Sequence, residues 1–184
     1  MSIQDVYSRV AAIESMISAR AGSRPAVPLT SFASVLAAAS PSSGNAIVAA
    51  AESQVGATEQ PPGSNDGPQI ATYRSAVAGA QAGEPWCAYF ASWAAAQAGT
   101  PLGPNGQGLG SVSEIASWAS STGKLLPASA APAPGDFILF GGEHVGIVES
   151  LNADGSLTTI EGNSGNGVTR VHRSPGEATG YVQL

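Results

Sequence analysis

The period of the hydrophobic pattern changes at PAPGD, residues 132–136, and this narrows the folds open to the chain. Before it, AIVAAAESQVG, PQIATYRSAV, WCAYFASWAAAQAG and SVSEIASWASSTG carry apolar residues at helical spacing or in Ala-rich runs. After it come FILF, HVGIVESL, SLTTIEG, VTRVHR and GYVQL, separated by Gly, Asn and Asp. Short runs of the second kind read as strands. Helices first and strands last is the order of an α+β domain, not of alternating βαβ units.

A separate element precedes that domain. Ile3, Val6, Val10, Ile13 and Ile17 recur at spacings of 3 and 4, the apolar stripe of an amphipathic helix. Gly22 and Pro25 end it, GSRPAVP links it to a second short helix at 31–40, and PSSGN at 41–45 is a further linker. The expected organisation is a helical extension and linker over 1–40 and the main domain over 45–184. The stripe either packs on the neighbouring domain or docks on a protein partner.

Charged residues are only 11% of the chain and the net charge is −6, with no cluster of Lys or Arg, which argues against a nucleic-acid surface. No run reaches the ~18 apolar residues of a membrane span. The first residues, MSIQDVYSRVAAIE, carry Asp5, Arg9 and Glu14 and lack the apolar centre of an ordinary signal peptide. A single cysteine excludes an intramolecular disulfide framework and any CxxC metal site.

That cysteine, Cys87, lies in GEPWCAYFASWAAAQAG, with Pro85 just ahead of it and Gly99 as the natural end of a helix. In the first turn of a helix, free backbone N–H groups and the dipole favour an anion, so Cys87 is either a small core residue or a nucleophile. A nucleophile needs a base. Of the two histidines, His172 stands between arginines in what reads as a solvated strand, whereas His144 opens a strand after a glycine pair, with one ring edge free.

The base in turn needs an orienting acceptor. Asp154-Gly155 signals a two-residue hairpin. That turn would pair Ala153 with Ser156, Val148 with Glu161, Gly146 with Asn163 and His144 with Gly165. Alternation then puts His144, Glu161 and Asn163 on one face, Asn163 about 7 Å along from His144 and Glu161 about 14 Å. Asn163 is the nearer acceptor on this ideal register, and a bulge near Gly162 would bring in Glu161 instead. Cys87, His144 and Glu161 or Asn163 together are machinery for acyl transfer: sulfur attack on an amide carbonyl, an acyl-enzyme, then hydrolysis.

The blocks PWCAYFASW, PAPGDFILFGGEHVGIVES and TIEGNSG, in that order, resemble the signatures of the CHAP family (cysteine, histidine-dependent amidohydrolases/peptidases) of the wider NlpC/P60 group. The resemblance spans roughly 45–184 and implies a papain-like α+β fold, with helices packed on an antiparallel sheet. It implies hydrolysis of peptidoglycan amide bonds, as an N-acetylmuramoyl-L-alanine amidase or a peptide endopeptidase, at the bacterial cell wall in the periplasm or outside the cell. Cys87 would be the nucleophile, His144 the base, and Glu161 and Asn163 the orienting residues. The cleft is expected to be lined by Trp86, by Asn65 and Asp66 in GSNDG, and by NGQGLGS at 105–111. Asn65 and Asp66 offer too few carboxylates for a calcium site, so no metal or cofactor is expected. A module that keeps the cleft only to bind glycopeptide or a partner is the alternative.

Overall fold

The computed structural model describes residues 42–184; the stripe Ile3, Val6, Val10, Ile13 and Ile17 and the short helix expected at 31–40 lie outside the described residues. Among the described residues, four α-helices come first: α1 (Ser43–Glu52), α2 (Pro68–Arg74), α3 (Cys87–Gln97) and α4 (Val112–Ser121). Six strands follow: β1 (Leu125–Pro127), β2 (Phe137–Phe140), β3 (His144–Leu151), β4 (Leu157–Ser164), β5 (Gly167–Arg173) and β6 (Gly180–Val182). They form one antiparallel sheet in the order β1-β6-β2-β3-β4-β5. This is the α+β architecture expected from the change of period at 132–136.

α3 packs directly on β3 and β4 and is the centre of the core. Its sequence explains why. Ala88, Ala91, Ala94 and Ala95 are buried and small, so the helix lies close to the sheet. Its bulky residues join an aromatic cluster: Tyr73 of α2 lies 5.6 Å from Trp86, 5.1 Å from Phe90 and 5.2 Å from Trp93 between ring centroids. Each fully buried side chain of this size stabilises the fold by about 1.5–3 kcal/mol. The approach is closest at Gly162 of β4, where a Cβ would stand 2.6 Å from Phe90 Cβ and 2.8 Å from Trp86 Cζ3. Only glycine fits between that strand and that helix.

Two stretches are more ordered than their composition suggests. α1 begins inside PSSGN, with the Ser42 hydroxyl accepting from Asn45 N–H at 3.3 Å. Gly44 sits tightly on the Pro134–Gly135 turn, where a Cβ would stand 2.3 Å from the Pro134 carbonyl oxygen. The Gly/Pro-rich loop 99–111 is clamped to α3: the Ser92 hydroxyl donates to Leu109 O at 2.9 Å and accepts from Leu109 N–H at 3.0 Å. Leu102 in the same loop is wholly buried. The loop ends in a capping box, Ser111 with Glu114, that starts α4.

Candidate active site

α3 starts at Cys87, with Trp86 as its N-cap residue and Pro85 one position earlier. The first intrahelical bond runs from Phe90 N–H to Trp86 O at 2.9 Å. The N–H groups of Cys87, Ala88 and Tyr89 therefore have no partner within the helix, and they point where the dipole is positive. Cys87 is 5% exposed, and that fraction opens into a cleft of about 330 Å³. The cleft walls include Glu84, Pro85 and Tyr89 on one side, Gly110 and Ser111 on another, and Gly142 and Glu143 ahead of β3. A second hollow of about 350 Å³ continues it past Tyr89 towards Gln107 and Gly108. The Tyr89 hydroxyl donates to Glu84 in the shared wall and holds that carboxyl below its usual range.

His144 is the first residue of β3. Its Nε2 lies 2.8 Å from Oε2 of Glu161, a carboxylate with no exposed surface. Cys87 stands close enough to raise the proton affinity of the imidazole, and with Nε2 engaged by Glu161 the nitrogen left for the sulfur is Nδ1. Burial pushes the proton affinity of His144 down, but Cys87 and Glu161 outweigh it and raise the imidazole pKa to about 9. Burial pushes Glu161 up, and Arg173, His144 and Thr159 outweigh it, so its pKa falls to about 2. A thiol, an imidazole and a buried carboxylate in this order can pass a proton to and from the sulfur side while the ring stays fixed.

Glu161 is held by more than the histidine. Arg173 Nη2 donates to Oε2 at 2.6 Å and Nε to Oε1 at 2.8 Å, and the Thr159 hydroxyl donates to Oε1 at 2.6 Å. The guanidinium also lies 4.4 Å over the ring of Phe140, and that ring stacks on His144 at 5.8 Å. VTRVHR has the pattern of a solvated strand, so sequence reasoning misses Arg173; Thr159 and Phe140 carry no signal of their own. The fixed charge inside TIEGNSG would have been the clue, because a buried Glu demands a cation.

Glu161 rather than Asn163 meets the imidazole because the hairpin slips by two, which brings Glu161 one diagonal from His144, and because Asn163, which that register would set opposite His144, leaves the ladder. The turn is a three-residue loop, Ala153–Gly155, closed by Asn152 N–H to Ser156 O at 2.8 Å, so Ser156 faces Asn152 instead of Ala153. A bulge between Val148 and Ser150 adds the second slip, and Val148 pairs with Thr159 instead of Glu161. Glu161 then lies across from Gly146, where a Cβ would stand 2.9 Å from Glu161 Cγ. A slip of two keeps the same face towards the histidine. Asn163 falls in another irregularity, between Glu161 and Ser164, with φ of 60°.

The remaining expected cleft residues are placed differently. Trp86 is wholly buried behind the helix start, its Nε1 donating to Oε1 of buried Glu59 at 3.0 Å. Asn65 N–H donates to Oε2 of the same Glu59 at 3.1 Å, and Asn65 Nδ2 donates to Gly83 O at 3.3 Å. Asp66 pairs with Arg74 at 2.9 Å. These residues brace the approach to α3, and the 63–67 loop does not line the cleft, whereas Gly110 and Ser111 of 105–111 do. Among the described residues no group of three or more His, Cys, Asp or Glu is arranged to hold a metal ion.

The two shifted groups predict how stability depends on pH. Glu161 binds protons less readily when folded, so its contribution is present above about 4.5 and is lost as pH falls towards about 2. His144 binds its proton more readily when folded, so its contribution is complete below 6.5 and is lost as pH rises through about 9. Thermal melts across pH 2–10 should give the highest midpoint between those limits, and a midpoint that climbs from pH 7 to 9 would contradict the assignment.

These elements define a class: an α+β domain in which the first turn of a buried helix meets an imidazole–carboxylate pair at the end of an antiparallel sheet. Residues 79–163 match the CHAP domain family and contain Cys87, His144, Glu161 and Asn163. The match points to peptidoglycan-hydrolase-type amidase or peptidase activity at the cell wall. No curated protein and no solved structure matches the chain. Among the described residues no helix is long and apolar enough to cross a membrane.

Proposed function

We propose that the chain is a cysteine hydrolase of peptidoglycan amide bonds, an N-acetylmuramoyl-L-alanine amidase or peptide endopeptidase working through an acyl-enzyme outside the cytoplasm. The observation that carries this reading is His144, bonded at Nε2 to buried Glu161 and raised in proton affinity by Cys87, which opens on a cleft. Cys87 Sγ attacks the carbonyl carbon, the C–S bond forms, and the oxygen takes the negative charge. Free N–H groups at the start of α3, that of Cys87 first, are the donors suited to that oxyanion. As the C–N bond breaks, the proton on Nδ1 of His144 passes to the leaving amine. Water then gives a proton to the neutral imidazole and attacks the thioester, and the sulfur departs with its electron pair.

Glu161 orients the imidazole throughout, and Asn163 is assigned a lesser orienting role. Residues 45–184 are taken as the catalytic unit, and residues 1–40 as an extension whose apolar stripe is offered to a protein partner.

The test is digestion of purified peptidoglycan followed by mass spectrometry of the released muropeptides. A free lactyl group assigns the amidase reaction and a new peptide terminus the endopeptidase reaction. Alkylating the single cysteine with iodoacetamide before digestion should stop release. Release that persists after complete alkylation would refute the cysteine mechanism, and binding without turnover would favour the glycopeptide-binding module.

A further inference from the structure

We infer that Arg173 is a positioning residue whose guanidinium keeps Glu161 a fixed, charged acceptor while the imidazole of His144 gains and loses its proton. This rests on the reading of Cys87 and His144 as the reacting pair. The difficulty that Arg173 resolves is physical. Glu161 has no exposed surface, and a buried carboxylate stays ionised only with a partner. His144 is a charged partner for only part of the cycle, because it becomes neutral on protonating the leaving amine. A carboxylate served by the histidine alone would then be an uncompensated buried charge, or would take back the proton. A guanidinium does not titrate in proteins, and its fork matches the carboxylate at both oxygens, 2.6 Å and 2.8 Å away.

The same geometry limits how tightly His144 holds its proton. Arg173 Nη2 and His144 Nε2 share one oxygen, Oε2, at 2.6 Å and 2.8 Å, which places a permanent cation close to the imidazolium and opposes its charged form. Phe140 fills the space beside both, under the guanidinium and stacked on the imidazole. The charged and titratable groups around His144 are Cys87 on α3, Glu161 on β4, Arg173 on β5 and the exposed Glu143 just ahead of it. Glu177, in the 3-10 turn after β5, holds Arg173 Nη1 at 3.1 Å and so restrains the fork from its far side.

The sign of one shift tests the inference. The chain has two histidines, so their imidazole titrations can be followed by NMR in the full-length protein, assigned by a His172→Gln control. Losing a cation at this range should raise the His144 midpoint by about half a pH unit or more in Arg173→Met. Glu161→Gln should lower it. A purely structural role predicts that Arg173→Met loosens and hydrates the site, so that the midpoint falls towards 6.5 as in Glu161→Gln. A midpoint that falls or stays put in folded Arg173→Met overturns the inference.

Arg173→Lys keeps the charge without the fork. Its midpoint should stay within about 0.3 units of the wild type. Its kcat on peptidoglycan should fall about tenfold with KM unchanged, the mark of a slackened acceptor. Should Arg173→Met not fold, a Lys variant with a midpoint moved towards 6.5, or with wild-type kcat, overturns the inference equally. Absence of hydrolysis by the wild type refutes the proposed function, and the titrations still decide the role of Arg173.

Discussion

Cys87→Ala is expected to leave a folded chain that releases no new termini from purified peptidoglycan, with the rate down by about 10⁴-fold or more, as for removal of a nucleophile elsewhere. The two halves of this expectation have separate causes. Cys87 sits in the first turn of α3, and alanine is the best helix former, so removing one sulfur costs about 1 kcal/mol or less. The imidazole–carboxylate pair stays intact because Glu161 is held by Arg173 and Thr159 independently of the sulfur. On the proposed mechanism, activity by contrast has no second source. Cys87 is the sole cysteine, and it alone presents a sulfur to His144. Amine release and a calorimetric melt on the same sample separate the outcomes. A melt within a few degrees of wild type with release abolished is the expected pair, whereas a folded variant that still cleaves would remove Cys87 from the mechanism.

What could be read from the chain followed from features that are local in sequence. The α+β order, the start of a helix near Cys87 and the strand opened by His144 each rest on a few consecutive residues, and they stand in the structure as expected. The choice between Glu161 and Asn163 did not, because it depends on a count along two strands. A three-residue loop in place of a two-residue one and a bulge at Glu149 shift the pairing by two, and a break in register between Glu161 and Ser164 then takes Asn163 out of the ladder. The loop and the bulge are energetically small and have no signal in DG or in HVGIVESL strong enough to read, whereas Gly162 marks where the strand could break. The face towards His144 survived for a simple reason: two single slips restore the alternation that one would have reversed.

Other misplacements have the same origin. Trp86 next to the cysteine reads as a cleft residue only until its depth is known, and Glu59, 27 positions away, is what draws its Nε1 inward. Arg173 sits among charges that read as solvated, and its partner Glu161 is 12 positions back across a hairpin. Long-range pairings of buried charge leave no periodic trace. The helix start inside PSSGN was hidden likewise, since Gly44 is there for contact with Gly135 and not for flexibility.

Gly162→Ala should disable the site without touching any residue that reacts. The added methyl would stand 2.6 Å from Phe90 Cβ, 2.7 Å from Phe90 Cγ and 2.8 Å from Trp86 Cζ3. Phe90 Cβ is fixed to the α3 backbone, so no rotamer change relieves the contact, and the Trp86 ring is pinned by its bond to Glu59. The helix and the strand must part. Overpacking of this kind costs about 1–3 kcal/mol, which lowers the melting midpoint without unfolding the protein.

The effect on chemistry should be larger. Trp86 and Phe90 flank the first turn of α3, and Gly162 follows Glu161 directly, so the displacement falls between Cys87 and the imidazole–carboxylate pair. A misplacement of about 1 Å between reacting groups costs about 10²-fold in rate. Hydrolysis should therefore fall about 10²-fold in kcat while KM changes little, because the cleft walls at Gly110, Ser111 and Gly142 lie elsewhere. Pairing Gly162→Ala with Phe90→Leu, which trims the ring but leaves Cβ, should restore only part of the rate. A Gly162→Ala variant with wild-type kcat would mean that the contact between α3 and β4 does not set the distance between sulfur and imidazole.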